Sequence, residues 1–152
     1  MTTAKNKRVS IVSISMVKER SILYYGRVIA SPQDGVDLVK QYLENSDREK
    51  LIVVGLDTKN QPTFIDTVSI GVLNTSLVHP REVFKSAILG NSASIVLFHN
   101  HPSGDIDPSE DDIEVTKRIA DAGKLLGIPL VDHIIIGDDN FTSLRKLGLS
   151  EI

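Results

Sequence analysis

Ala93-Ser94-Ile95-Val96-Leu97-Phe98 runs directly into His99-Asn100-His101-Pro102-Ser103-Gly104-Asp105-Ile106-Asp107-Pro108-Ser109-Glu110-Asp111-Asp112. The first six residues are nearly all apolar, the pattern of a central strand covered on both faces. In extended backbone, residues two apart point to the same side, so His99 and His101 can converge where that strand ends. Pro102, Gly104 and Pro108 then force an irregular loop. Ser109 to Leu126 reads as the longest helix, with Ile113, Ile119, Ala122, Leu125 and Leu126 inward and charges outward, stopped by Gly127 and Pro129. A buried strand followed by an amphipathic helix predicts an α/β (α+β) domain: a mixed β-sheet flanked by helices.

The same stretch carries the candidate chemistry. Ser109 and Asp112 are three residues apart and share a helix face. Two imidazoles, His99 and His101, and one carboxylate, Asp112, match the three-ligand pattern of catalytic zinc, which leaves a fourth position for water. A capping reading stands beside it: Ser-x-x-Asp before an apolar run also places Ser109 as an N-cap, with an acid at the favourable end of the helix dipole. Asn100, between the histidines, faces the other side of the strand and is expected to make a structural hydrogen bond.

Working outward, Val9 to Val17 alternates and predicts a strand, and Ile22 to Ile29 predicts a second one paired to it through Lys18-Glu19-Arg20. Ser31-Pro32 opens a helix with Val36, Val39, Tyr42 and Leu43 at helical spacing. Leu51 to Leu56 and Phe64 to Leu73 form an antiparallel hairpin around Asp57-Thr58-Lys59-Asn60. A short helix follows His79-Pro80, with Val83, Phe84, Ala87 and Ile88 inward and Gly90 as its C-cap. Leu130 to Ile136 is another strand, and Phe141 to Leu144 the last. The expected order is β-β-α-β-β-α-β-α-β-β.

The chain has 152 residues, 41% hydrophobic and 24% charged, with 10 Gly and 6 Pro, which suits one globular domain. Its formal net charge of −3 supplies no global positive field toward phosphate or anionic lipid. With no cysteine there is no disulfide framework, thiolate metal site or cysteine nucleophile. No stretch approaches the roughly 20 apolar residues of a membrane span. Nor does the basic start lead into an apolar signal core. A cytoplasmic setting is expected.

His99-x-His101, seven residues, then Ser109-x-x-Asp112 resembles the JAMM (JAB/MPN) metalloprotease motif, and His99-Asn-His-Pro-Ser-Gly104 resembles its bacterial RadC-type branch. Further matches are Glu49 before Leu51-Ile-Val-Val54, Leu56-Asp-Thr-Lys-Asn60, Val78-His-Pro-Arg-Glu-Val-Phe84 and Asp132-His-Ile-Ile-Ile-Gly137. The likeness runs from about residue 30 to 148. It implies a JAB/MPN-like, cytidine-deaminase-like single domain bearing one Zn²⁺ per chain on His99, His101 and Asp112. An N-terminal strand region over 1–30 and the metallo-domain over 31–152 are the expected parts. The helix-hairpin-helix module of longer RadC-type proteins has no counterpart in residues 1–30, so strong nucleic-acid binding through this domain is not expected.

What the resemblance implies about roles follows residue by residue. Glu49, one of seven glutamates, would take the proton of a zinc-activated water and pass it to the leaving nitrogen, where the alternative is a solvated charge. Ser109 would donate its hydroxyl to a developing oxyanion. The implied activity is hydrolysis of a peptide or isopeptide amide in a peptide or protein substrate. The competing reading is a RadC-type, DNA-repair-associated accessory or interaction domain whose metal is mainly structural. A two-metal nuclease ranks below both, because one compact ligand set is visible. His79 is expected to make a local hydrogen bond at its helix start, and His133 to be a buried structural histidine or a support for the metal ligands.

Overall fold

Ser31 and Asp34 start the first helix, α1 (Pro32–Leu43), by a reciprocal cap: Asp34 Oδ2 accepts from the amides of Ala30 and Ser31, and Ser31 Oγ accepts from the amide of Asp34. The structure, a computed structural model, describes residues 4–43, 46–74, 76–149 and 152. After α1 come β1 (Lys50–Leu56), β2 (Pro62–Ile70), α2 (Pro80–Leu89), β3 (Ser94–Asn100), α3 (Glu110–Leu126), β4 (Leu130–Ile136), β5 (Phe141–Ser143) and α4 (Leu144–Leu147). The five strands form one sheet in the order β2-β1-β3-β4-β5. β1 pairs antiparallel with both β2 and β3, β3 pairs parallel with β4 across the α3 connection, and β5 returns antiparallel.

Alternation along the central strands builds two cores. Leu51, Val53, Ile95 and Leu97 pack with Val83 and Phe84 of α2 and Val115 and Ile119 of α3. Ile52, Val54, Val96, Phe98, Ile134 and Ile136 pack with Val36, Leu38 and Val39 of α1 on the other face. Every residue of β3 is buried, as its apolar run requires. Gly35 permits close approach of α1 to the sheet: a Cβ there would lie 2.7 Å from the Phe98 ring.

The N-terminal hairpin is a correction. Residues 4–30 contain no strand. The expected partner segment turns back on itself instead, with Val28 N–H donating to Gly26 O, the Tyr24 hydroxyl donating to Val28 O, and Arg27 at φ 61. Ile22, Tyr24 and Ile29 are drawn onto the α1-side core. Val9 to Val17 thereby loses its pairing edge and lies exposed. Three inward assignments also fail: Ile88, Leu125 and Leu126 are exposed, Leu125 by 89%. On α3 the buried stripe runs through Asp112, Val115, Thr116, Ile119, Ala120 and Gly123, which leaves Leu125 and Leu126 past its edge. β2 stops at Ile70, short of Leu73, and α4 is an element the sequence pattern did not announce.

Candidate metal centre

Topology explains why residues far apart in sequence meet. His99 stands at the C-terminal end of β3, where the chain leaves for α3, and ligand sites in such sheets form outside the carboxyl ends of parallel strands. β1 is antiparallel to β3 with Leu51 opposite His99, so the residue just before β1 arrives at the same end. That residue is Glu49. Its carboxylate Oε2 lies 3.5 Å from His99 Nε2 and accepts from the amide of Leu73 at 3.3 Å.

His99, His101 and Asp112 each offer a ligand atom, and these atoms lie within 4.8 Å of one another. His99 Nδ1–H donates to Asp112 Oδ1 at 3.1 Å, and His101 Nε2 stands 3.6 Å from Asp112 Oδ2. The two imidazoles meet edge to face, with centroids 4.7 Å apart. Gly104, at φ 82, lets the loop from Pro102 fold back so that His101 Nδ1–H reaches Asp105 O at 2.6 Å. This bond fixes the tautomer and leaves Nε2 with its lone pair toward the site, as in many metal-binding histidines.

The arrangement fits a divalent ion by its own chemistry. His99 Nε2 is buried without a hydrogen-bond partner, although buried polar atoms are nearly always paired. Two imidazoles with one carboxylate are a donor set for zinc and leave a coordination position open. Burial pushes the Asp112 carboxyl up, yet hydrogen bonds from His99 and Ser109 outweigh it and hold the pKa at about 2, so the group is a ready anion at neutral pH. These three residues could hold a metal ion.

Ser109 is the N-cap of α3 in a full capping box: its Oγ accepts from the amide of Asp112 at 3.0 Å, and Asp112 Oδ2 accepts from the amide of Ser109 at 2.8 Å. The cap and the ligand set therefore share Asp112, so the two readings of Ser-x-x-Asp are compatible. Asn100 makes the expected structural bonds, accepting from Lys50 N–H and donating to Arg48 O. His133 is fully buried, and burial lowers its pKa to about 3, keeping it neutral. The Thr116 hydroxyl donates to Asp112 O at 2.5 Å and accepts from His133 Nδ1–H at 2.6 Å, so a chain of bonds props up the first turn of α3. Thr116 was not singled out in the sequence; its signal is its place four residues beyond Asp112 on the same helix face. His79 corrects its expectation: it is the N-cap of α2, yet its side chain makes no cap bond.

Beside His101 a cleft of about 560 Å³ opens between the end of α1 and the turn after β4, with Leu43, Pro102 and Ile136 in its wall and Lys40 at its margin. No helix among the described residues is long and apolar enough to cross a membrane.

Comparison with known proteins agrees with this architecture. A UPF0758 protein of Desulfitobacterium hafniense (strain DSM 10664 / DCB-2) is 53% identical over 122 residues, 80% of this chain and 54% of its own length. One from Geobacillus sp. (strain WCH70) is 52% identical over 126 residues, 82% of this chain and 56% of its own. One from Methanosarcina acetivorans is 53% identical over 122 residues, 80% of this chain and 53% of its own length. The chain thus spans about half the length of the curated relatives it matches. The model of the RadC-like JAB domain matches residues 29–149, which takes in both histidines at the end of β3, the capped start of α3 and the glutamate before β1. By that match this chain belongs to the RadC-like JAB domain family.

Proposed function

We propose that this domain is a zinc-dependent amide hydrolase of the JAMM type, acting on a peptide or isopeptide bond in the cytoplasm. In this reading His99, His101 and Asp112 hold one zinc ion per chain, Glu49 moves the proton, and the Ser109 hydroxyl serves the oxyanion. Zinc bound there would act as a Lewis acid, polarising a carbonyl and bringing the pKa of a coordinated water down toward about 7.

The observation that carries the reading is the Glu49–His99 approach of 3.5 Å, at the rim of the ligand cluster. A purely structural site has no need of a carboxylate that stays outside the ligand set yet beside it. Glu49 is 27% exposed while His99 is 2% exposed, so the carboxylate stands between solvent and the buried imidazole. From there it can accept a proton from water and deliver it to a leaving nitrogen, the double duty amide hydrolysis requires. The Leu73 amide holds Oε2 in this orientation. The cleft beside His101 gives an extended peptide room to lie across the site.

Glu49→Gln is the test. The variant is expected to keep the metal content of the wild type and to accumulate, in cells, proteins that the wild type cleaves, read by mass spectrometry of new peptide termini. Processing by Glu49→Gln equal to wild type overturns the hydrolase reading and favours the accessory domain with a structural metal.

A further inference from the structure

Resting on the hydrolase reading, we infer that Asn100 is a positioning residue: its side-chain amide clips the backbone on both sides of Glu49 to the end of β3 and so sets where the Glu49 carboxylate stands. Asn100 lies between the two candidate histidine ligands and points to the opposite face of the strand. Its Oδ1 accepts from Lys50 N–H at 2.7 Å, and its Nδ2 donates to Arg48 O at 2.8 Å. Those groups flank Glu49 in sequence.

The clip does work that the sheet cannot. The β1–β3 register ends at the pair Leu51 and His99, and β1 itself begins at Lys50. Arg48 and Glu49 therefore lie beyond the ladder, in a segment where Asp47 and Arg48 are exposed. Two ties come from the β2 side: Gly71 N–H donates to Glu49 O at 2.8 Å and Leu73 N–H to Glu49 Oε2. Asn100 supplies the tie from the histidine side. A primary amide can do this because it presents a donor and an acceptor in one plane; aspartate keeps only the acceptor, and alanine neither. Asn100 is itself buried, so its amide is poorly served by water and stays with its two backbone partners. The residue that separates the imidazoles thus ties the strand end carrying them to the carboxylate that faces them.

The test loads the full chain with cobalt(II) in place of zinc and compares wild type, Asn100→Ala, Asn100→Asp, Glu49→Gln and the Glu49→Gln/Asn100→Ala double variant. Visible absorption reports the metal surroundings, and a crystal structure of the Asn100 variant reports the Glu49 position. Asn100→Ala is expected to bind as much cobalt as wild type, to shift the bands in the direction of Glu49→Gln by at least half its extent, and to show Glu49 withdrawn from His99. The double variant is expected to match Glu49→Gln alone, because a residue acting through Glu49 has nothing left to act on. Asn100→Asp, nearly isosteric, carries the same comparison should the alanine variant fold poorly. Wild-type bands with Glu49 unmoved in both Asn100 variants, or additive shifts in the double variant, overturn the positioning role. Failure of the wild type to bind cobalt, or bands in Glu49→Gln identical to wild type, overturns instead the hydrolase reading on which the role rests.

Discussion

Glu49 and His99 face each other across the antiparallel β1–β3 pair, with Oε2 3.5 Å from Nε2. Fifty positions of sequence separate them. The β1–β3 register brings the two strand ends together, and hydrogen bonds to the backbone around Glu49 complete the approach. The geometry divides the centre into two parts: β3 and the start of α3 supply the groups that could hold an ion, and the approach to β1 supplies the carboxylate beside them. Each part can be removed without the other.

Removing the ligands should remove the ion and its stabilisation together. Protein purified without chelator is expected to carry about one zinc per chain, measured by elemental analysis, and His99→Ala combined with His101→Ala to carry almost none. Free zinc at a hundredfold over its Kd would stabilise the folded wild type by about 2.7 kcal/mol. The thermal midpoint of chelated wild type should therefore rise on adding zinc, and that of the double variant should not. Full zinc content in the double variant would place the ion elsewhere.

Ser109 has a cap to lose and, in the hydrolase reading, a hydroxyl to lose. Ser109→Ala should lower stability by about 1 kcal/mol and Ser109→Gly by only a few tenths, because glycine tolerates the N-cap backbone. Both lack the oxyanion donor, whose loss typically costs about 2.7–4 kcal/mol of barrier. Denaturant unfolding should thus separate the two variants while hydrolysis falls in both by a factor of about 10² to 10³. Activity that tracks stability, with glycine near wild type, would leave Ser109 as a cap only.

The sequence exposes the site more readily than the periphery, for physical reasons. A run such as Ser94 to Phe98 has few homes other than the middle of a sheet, and histidines two apart at its end must share a side. Ser-x-x-Asp, by contrast, occurs twice. Asp34 Oδ2 is engaged by the amides of Ala30 and Ser31, whereas Asp112 gives Oδ2 to the Ser109 amide and turns Oδ1 to His99. Local spacing cannot tell these apart; the neighbouring strand does. Glu49 entered through family likeness, since no local pattern encodes an antiparallel register. Val9 to Val17 misled because alternation states what a strand would bury, not whether a partner edge exists for it. Leu125 and Leu126 misled because helical spacing near a C-terminus runs on after the helix has passed the edge of what it covers.

Acid should weaken the metal-free protein in two windows. His133 is held neutral by burial, with a folded pKa of about 3 against 6.5 when unfolded. The unfolded chain takes the proton that the folded one refuses, so this contribution is complete above pH 6.5 and falls as pH drops toward 3, by up to about 1.4 kcal/mol per pH unit. Asp112, held at about 2 against 3.8, contributes above pH 3.8 and is lost as pH falls through 2. Asp132, whose carboxyl is raised by burial, works in the opposite sense, since acid relieves it. In urea unfolding of chelated protein between pH 7 and pH 5, His133→Gln should flatten the decline seen in wild type. An unchanged slope would mean that His133 does not titrate on unfolding.

The approach of α1 to the sheet at Gly35 gives a prediction independent of any ion. A Cβ on Gly35 would sit 2.7 Å from Phe98 Cζ and 3.1 Å from Cε1, and the ring is fully buried among Val36, Val39 and Ile134 of the same core. Gly35→Ala gains helix propensity of about 0.8–1.0 kcal/mol in an exposed setting. Here the methyl group must push α1 off the sheet or force the ring from its rotamer, and overpacking of this kind costs about 1–3 kcal/mol. The clash outweighs the propensity, so Gly35→Ala should be net destabilising in denaturant unfolding. Pairing it with Phe98→Leu, which shortens the opposing side chain, should cost less than the sum of the single changes, because the two residues contest one space. Simple additivity in that cycle would show that α1 absorbs the methyl group by shifting and that the approach at Gly35 does not set its seat.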